Sequence, residues 1–417
     1  MIARVLDQHA EEASFLAILR DHAVGAPNYD LTHLATLDNR IDAHLDGLQV
    51  AGLKGLNLLL DQLRPAASGE VFAATVLAFR MGNSPALSTL GEYLRTNEEE
   101  GERYFAAALG WLDWAQVQPW VDRLLASPEP LFRRLGLAAC GMHHHDPGPA
   151  LLSALGNSDP SVLARAARTA GELRRRDLMQ PIRLHRQHSD AALRFWSNWA
   201  TAQMGDEEAL ALLQPFAEQP GRYQARALHV VLAWQPREAS MAWIRRMTQA
   251  PAQRRIAIKA TGLFGDPVAL PWLLQQMHDL PMARAAGEAF SQITGLDLAL
   301  HDLELRDSPD FDAGPTDDPN DSNVAMDPDE SLPWPDPHRV HTWLQQHSAS
   351  LPAGTAYLLG APFSEAACWR ALGSGNQRQR QVAAGLLARY IPTQALFPVS
   401  APAQRQKALL KGRLADS

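Results

Sequence analysis

Six arginines, Arg134, Arg165, Arg194, Arg226, Arg255 and Arg284, recur about thirty residues apart along the 417-residue chain. A guanidinium is always charged, and its planar fork matches carboxylate and phosphate. A periodic row of them on one surface could therefore meet an acidic protein or a phosphate backbone. The plainer reading of the same row is a solvated outer helix face. The stretch "MHHHDP" (142–147) is the one most like a metal site. Zinc needs three or four converging ligands, whereas His143, His144 and His145 are consecutive and point in different directions. Cys140 falls in the apolar column of a helix, so it reads as core. Calcium has a loose candidate in Asp318, Asn320, Ser322 and Asp329, but Asn323 stands where the loop turn wants glycine and no glutamate closes the loop. There is no nucleophile elbow, no phosphate-cradling glycine loop and no His-Glu-x-x-His helix. We therefore expect no catalytic, cofactor or metal residues.

The charge is uneven. The net charge is −8, yet the stretch 302–336 alone carries twelve acidic residues against Arg306, so the rest of the chain is close to +3. A nearly neutral body whose arginines are diluted by neighbouring acids argues against nucleic acid as the partner. Cys140 and Cys368 are too few for a disulfide framework. His9, Glu11 and Glu12 interrupt the apolar stretch that a signal peptide needs. No apolar run reaches the ~20 residues of a membrane span, so a cytoplasmic protein is expected.

The elements that carry the arginines come from a repeat. Rows of about thirty residues (70–100, 101–130, 131–160, 161–190, 191–220, 221–251 and 252–281) each read as a helical stretch, a short break and a second helical stretch. A further first helix opens at 282–295. Small residues recur in the first helix of each row: Ala138, Ala167 and Ala170, Ala227, Ala257 and Ala260, and Ala286. Such columns let helices approach closely. The breaks use "GDP" (265–267), "GDE" (205–207), "RRD" (175–177) and "GNSP" (82–85). Glycine there can end one helix, Asp or Ser can cap the next, and Pro suits its first turn.

These rows resemble short HEAT-like repeats of the phycobilin-lyase type, and "GDPVALPWLLQQMHDLPMARAAGEAF" is particularly similar to that pattern. The resemblance implies an all-α fold, a HEAT-like α-solenoid of antiparallel helix pairs over 70–300. Residues 1–69 are helical but off the repeat and suit an N-terminal cap. Their wording, "QHAEEASFL" and "LDNRIDAHLDGL", resembles a proteobacterial family of the same layout. Relatives of that family are loosely associated with type VI secretion neighbourhoods. The resemblance implies an accessory, adaptor or immunity role.

The pattern collapses over 301–337 into an acidic, Pro-rich insertion expected to be disordered or loosely docked. It returns over 338–399, where "CWRALGSGNQRQRQVAAGLLARY" (368–390) aligns without a gap on 151–173 and sets Ala383 and Ala384 on Ala166 and Ala167. A basic tail, 400–417, follows. Trp334, inside "LPWPDP", is an aromatic in a polar stretch and suits an anchor to the body or to a partner. The expected function is non-enzymatic binding of another protein, one with an acidic surface, through the six arginines and Trp334. The acidic insertion would compete for the arginines, so that deleting 302–336 strengthens binding. The alternatives are a lyase-like enzyme sited in the groove and a phosphate-backbone binder like HEAT-like DNA glycosylases.

Overall fold

A computed structural model describes residues 3–65, 67–311, 313–314 and 326–415. The chain opens with α1 (Ala3–Ala23), α2 (Leu31–Val50) and α3 (Leu53–Asp61). Helix pairs follow: α4 (Gly69–Arg80) with α5 (Ser84–Thr96), α6 (Glu98–Trp111) with α7 (Trp114–Leu125), and α8 (Pro130–His143) with α9 (Pro149–Leu155). Next come α10 (Pro160–Leu173) with the short α11 (Met179–Arg183), α12 (Ala191–Gln203) with α13 (Glu207–Glu218), and α14 (Gln224–Trp234) with α15 (Arg237–Thr248). After α16 (Arg254–Phe264) with α17 (Leu270–Gln276) come α18 (Leu280–Thr294) and α19 (Pro337–His347). A minimal hairpin of β1 (Tyr357–Leu358) and β2 (Ala361–Pro362) precedes α20 (Glu365–Ser374), α21 (Gln377–Tyr390) and α22 (Ala403–Ala415). The fold is all-α, a solenoid-type array of helix pairs.

The chain divides into two compact units. One comprises Met1–Gly25, Tyr29–Ala209 and Pro392–Ser417, and the other comprises Ala26–Asn28 and Leu210–Ile391. In the first unit the leading helices of successive rows stack in order, α4 on α6, α6 on α8, α8 on α10 and α10 on α12, and α1 packs on α4. In the second, α14 packs on α16 and α16 on α18, while α21 packs on α14.

The small-residue columns make this stacking possible. Ala166, Ala167 and Ala170 of α10 and Ala257 and Ala260 of α16 are fully buried. A Cβ on Gly171 would lie 2.8 Å from Ala200 Cα of α12, and one on Gly262 would lie 2.8 Å from Ala289 Cα of α18. At those distances only hydrogen fits between the backbones. Thr169 Oγ1 donates across the same joint to the Leu137 carbonyl of α8 at 2.9 Å.

The "GDP" break works as its residues suggest, whereas at "GNSP" Asn83 rather than Ser84 caps α5, and before "RRD" it is Arg174 that closes α10 in the left-handed conformation. Gly265 takes the left-handed conformation (φ 78°) that closes α16, and the Asp266 carboxylate accepts from the Val268 amide at 2.9 Å. Asp159 caps α10 and Asn376 caps α21, at equivalent points of the two aligned stretches. Ala383 is fully buried like Ala166. The hairpin serves the neighbouring helix ends, whose last carbonyls lack intrahelical donors. Leu359 and Gly360 donate to the Gln292 and Ile293 carbonyls of α18, and Tyr357 donates to the Gly265 carbonyl, at 2.8 to 3.0 Å.

Candidate functional site

The arginines separate by unit. In the first unit they turn inward. Arg134 on α8 is only 8% exposed and forks onto Glu102 of α6 (Nη2–Oε2 2.6 Å), with Nη1 donating to Ser161 at 2.8 Å. Arg165 on α10 pairs with Glu172, which also receives Arg168 at 2.8 Å. Burial alone would raise the Glu172 carboxyl, but the two guanidiniums hold it below the usual carboxylate range. Arg194 on α12 donates to the His188 carbonyl at 2.7 Å. Arg134 joins two helices of the array, Arg165 closes an ion pair within α10 and Arg194 fastens the turn before α12, so a freely solvated outer face does not describe them.

In the second unit Arg255 and Arg284 meet the acidic insertion. Helix α16 carries Arg255 and Lys259 one turn apart, and the adjacent α18 carries Arg284 and Glu288 with the same spacing, so each pair shares a helix face. Arg378, in the first turn of α21, forks onto both oxygens of Glu288 at 3.0 Å. Onto this seat descends the strap 326–336. Asp329 Oδ2 accepts from Arg255 Nη2, Asp327 Oδ2 accepts from Arg284 Nη2, and the Pro328 carbonyl between them accepts from Arg378 Nη2 at 2.9 Å. The strap is pre-shaped: Asp327 Oδ1 takes the Asp329 amide at 2.9 Å, and the Asp329 carbonyl takes the Leu332 amide at 2.8 Å. Burial would raise the Asp327 carboxyl, but the Asp329 amide and Arg284 hold it below its ordinary range. Trp334 lies under the Arg284 guanidinium, 4.3 Å from the ring centroid, and meets Phe311 edge to face. At its base the insertion is closed, because Leu305 donates to the Trp334 carbonyl and Asp336 to the Leu303 carbonyl, both at 2.8 Å.

The fit is incomplete. Asp329 is 3% exposed, yet its Oδ1 has no hydrogen-bond partner among the described residues. Lys259 forms no ion pair among them, and burial first, then Arg255, draws its ammonium below the ordinary lysine range. Arg226, on α14 of the same unit, is exposed. Its charge and that of Lys259 add to the burial that keeps His229 neutral.

The remaining candidates have structural occupations. His143 Nε2 donates to the Leu109 carbonyl at 2.8 Å, His144 closes α8 in the left-handed conformation (φ 54°), and His145 stacks on Trp114 at 4.2 Å. No cluster of three metal-ligating side chains occurs among the described residues. Asp318, Asn320, Ser322 and Asn323 lie outside the described residues, and Asp329 is committed to Arg255. Burial pushes both cysteine thiols up to about 12, a range in which thiolate chemistry is suppressed. A half-open cavity of about 300 Å³ in the first unit is walled by Phe79, Leu87, Trp120 and Phe132, with Arg95 and Arg123 in its lining. It offers apolar contact and guanidinium. No helix among the described residues is long and apolar enough to cross a membrane.

Residues 148–233 match the family model of HEAT repeats. HEAT repeats are generally protein-interaction scaffolds and typically lack enzymatic activity. The match begins in the turn before α9 and ends within α14. No curated protein matches the chain. Three members of the seat, Lys259, Glu288 and Arg378, were not anticipated. The available signal was the four-residue spacing from Arg255 to Lys259 and from Arg284 to Glu288.

The buried histidines make stability depend on pH. Burial pulls both His143 and His229 from 6.5 to about 4. Between these values the unfolded chain binds a proton that the native site refuses, so stability present above pH 6.5 is lost as pH falls toward 4. The slope is about 1.4 kcal/mol per pH unit per group at most. A His143→Gln variant, which can still donate to Leu109, should show a shallower fall in melting temperature between pH 6.5 and 4.5 than the parent protein.

Proposed function

We propose that this protein is a non-enzymatic scaffold that holds another protein on its helix array, and that the seat on α16, α18 and α21 receives an acidic segment of that partner. One observation carries the reading: Arg255, Lys259, Arg284 and Arg378 converge, and among the described residues Glu288 is the one carboxylate of the helices that pairs with them. With Asp327 and Asp329 withdrawn, these groups leave a local charge of about +3, enough to recruit and orient an acidic surface. A secretion-linked adaptor or immunity role is the narrower form of the same reading, and it rests on the resemblance of residues 1–69.

The test is affinity capture from the native cell at low and moderate salt, with the full chain, a chain lacking 302–336, and Arg255→Glu/Arg378→Glu as baits. Both side chains are nearly 30% exposed, so reversal should leave the fold intact. One stoichiometric protein should be enriched on the deletion bait at low salt, and should be lost on the reversed seat. Equal retention by all three baits would remove the seat from the reading. Retention of nucleic acid in place of protein would turn the assignment to phosphate-backbone binding.

A further inference from the structure

We infer that the strap Asp327-Pro328-Asp329 is an intramolecular ligand that copies the recognition element of the external partner. That element is a segment presenting two carboxylates two residues apart, with a backbone carbonyl turned out between them. This inference rests on the scaffold reading above and adds the partner's chemistry and its control. The geometry is specific. Arg255 and Arg284 stand on neighbouring helices and each takes one carboxylate, while Arg378 of a third helix takes the carbonyl between them. A single phosphate would occupy one of these positions. The Asp-x-Asp turn occupies all three.

The strap is also a replaceable ligand. Asp329 Oδ1 is buried without a hydrogen bond, and Lys259 on the seat has no ion pair among the described residues. Leaving such groups unmatched costs affinity that a better-fitted segment recovers. What holds the strap in place is its tether: closed at its base by the pairing of 303–305 with 334–336, it faces the seat at an effective concentration on the order of millimolar. An external segment with the same contacts must exceed that level, or make further contacts on the array, to enter. Arg284 also pairs with Asp327, but Trp334 beneath it and Pro335 beside Gly287 are ring contacts that do not need either carboxylate. The seat can therefore open while the base of the insertion stays docked.

The experiment uses the full chain and a fluorescein-labelled peptide of residues 326–336, followed by anisotropy. The Asp327→Asn/Asp329→Asn chain should bind this peptide at least tenfold more tightly than the parent chain, with affinity falling as salt rises. Adding Arg255→Glu/Arg378→Glu should abolish binding, and a peptide with both aspartates changed to Asn should not bind. Labelled single-stranded and duplex DNA form the comparison arm. In a second measurement on the parent chain, millimolar isotope-labelled peptide should accelerate amide exchange of the chain's own residues 326–332 while leaving 303–305 protected. Equal peptide binding by parent and opened chains, indifference to the Asn peptide, or preference of the opened seat for DNA would each overturn the inference. Peptide binding as expected with no protein captured would instead count against the scaffold reading alone.

Discussion

Ala167→Asp should lower the melting temperature of the protein by about 10 °C or more and strip amide protection from α8, α10 and α12. Ala167 is fully buried in α10, which packs on both α8 and α12. One turn later Gly171 sits so near Ala200 that even a Cβ would overlap it, and Thr169 reaches the Leu137 backbone on the other side. There is no room for a carboxylate, and the nearby cations are engaged, because Arg165 and Arg168 already share Glu172. Overpacking and an unpaired buried charge together cost on the order of 4 kcal/mol. For a unit of this size each kcal/mol moves the midpoint by about 2–4 °C. Ala257→Asp should act alike in the second unit, where α16 meets α18 through Gly262 and Ala289. Leu152→Asp is the control, since Leu152 is 55% exposed and the change should be nearly neutral. Calorimetry with hydrogen exchange decides, and parent-like melting of the Ala167 variant would show that α10 is not held by its small column.

That column was readable because a stacked array imposes the same steric demand at every layer, and a repeated demand leaves a repeated residue. The helix breaks were readable for a similar reason: Gly265, Asp266 and Pro267 act through local backbone chemistry that the three residues carry themselves. The arginine partners were less legible. Glu102 stands a full row before Arg134, and a reader must know the stacking before that separation becomes a contact. Asp327 and Asp329 posed the harder problem. Among twelve acidic residues nothing local distinguishes them, and composition alone reads the segment as solvated. Their role follows from Arg255, Arg284 and Arg378, which lie on three separate helices. The hairpin at 357–362 was invisible because two-residue strands are too short to show alternation.

Asp38→Ala should release the C-terminal segment before anything else unfolds. On α2 the residues Asp38, Asp42 and Asp46 form one polar row by spacing, yet they have different fates. Asp42 and Asp46 receive Arg80 at 2.6 and 3.1 Å, whereas Asp38 is 4% exposed. Its Oδ1 takes Arg20 Nε at 3.0 Å, and its Oδ2 takes the Ala403 amide, the first residue of α22, at 2.7 Å. Arg20 completes the clamp by donating to the Ser400 and Ala401 carbonyls at 2.8 and 2.9 Å. A carboxylate thus sits at the positive end of α22 and is neutralised by an arginine that also grips the preceding turn. Removing it leaves Arg20 without its counter-ion in a half-buried place and strands the Ala403 amide, a loss of about 3 kcal/mol. At about 1.4 kcal/mol per decade, the open tail should become roughly a hundredfold more populated. Limited proteolysis between 392 and 402 should accelerate accordingly, because cleavage follows the open population when closing is fast. Asp38→Asn keeps an acceptor and should give a smaller rise. Arg405, which donates to the Gly110 and Leu112 carbonyls at 3.1 Å, is the competing fastener. If Asp38→Ala is cleaved like the parent while Arg405→Ala is cleaved faster, the tail is held by its grip on the end of α6 and the buried carboxylate serves Arg20 alone.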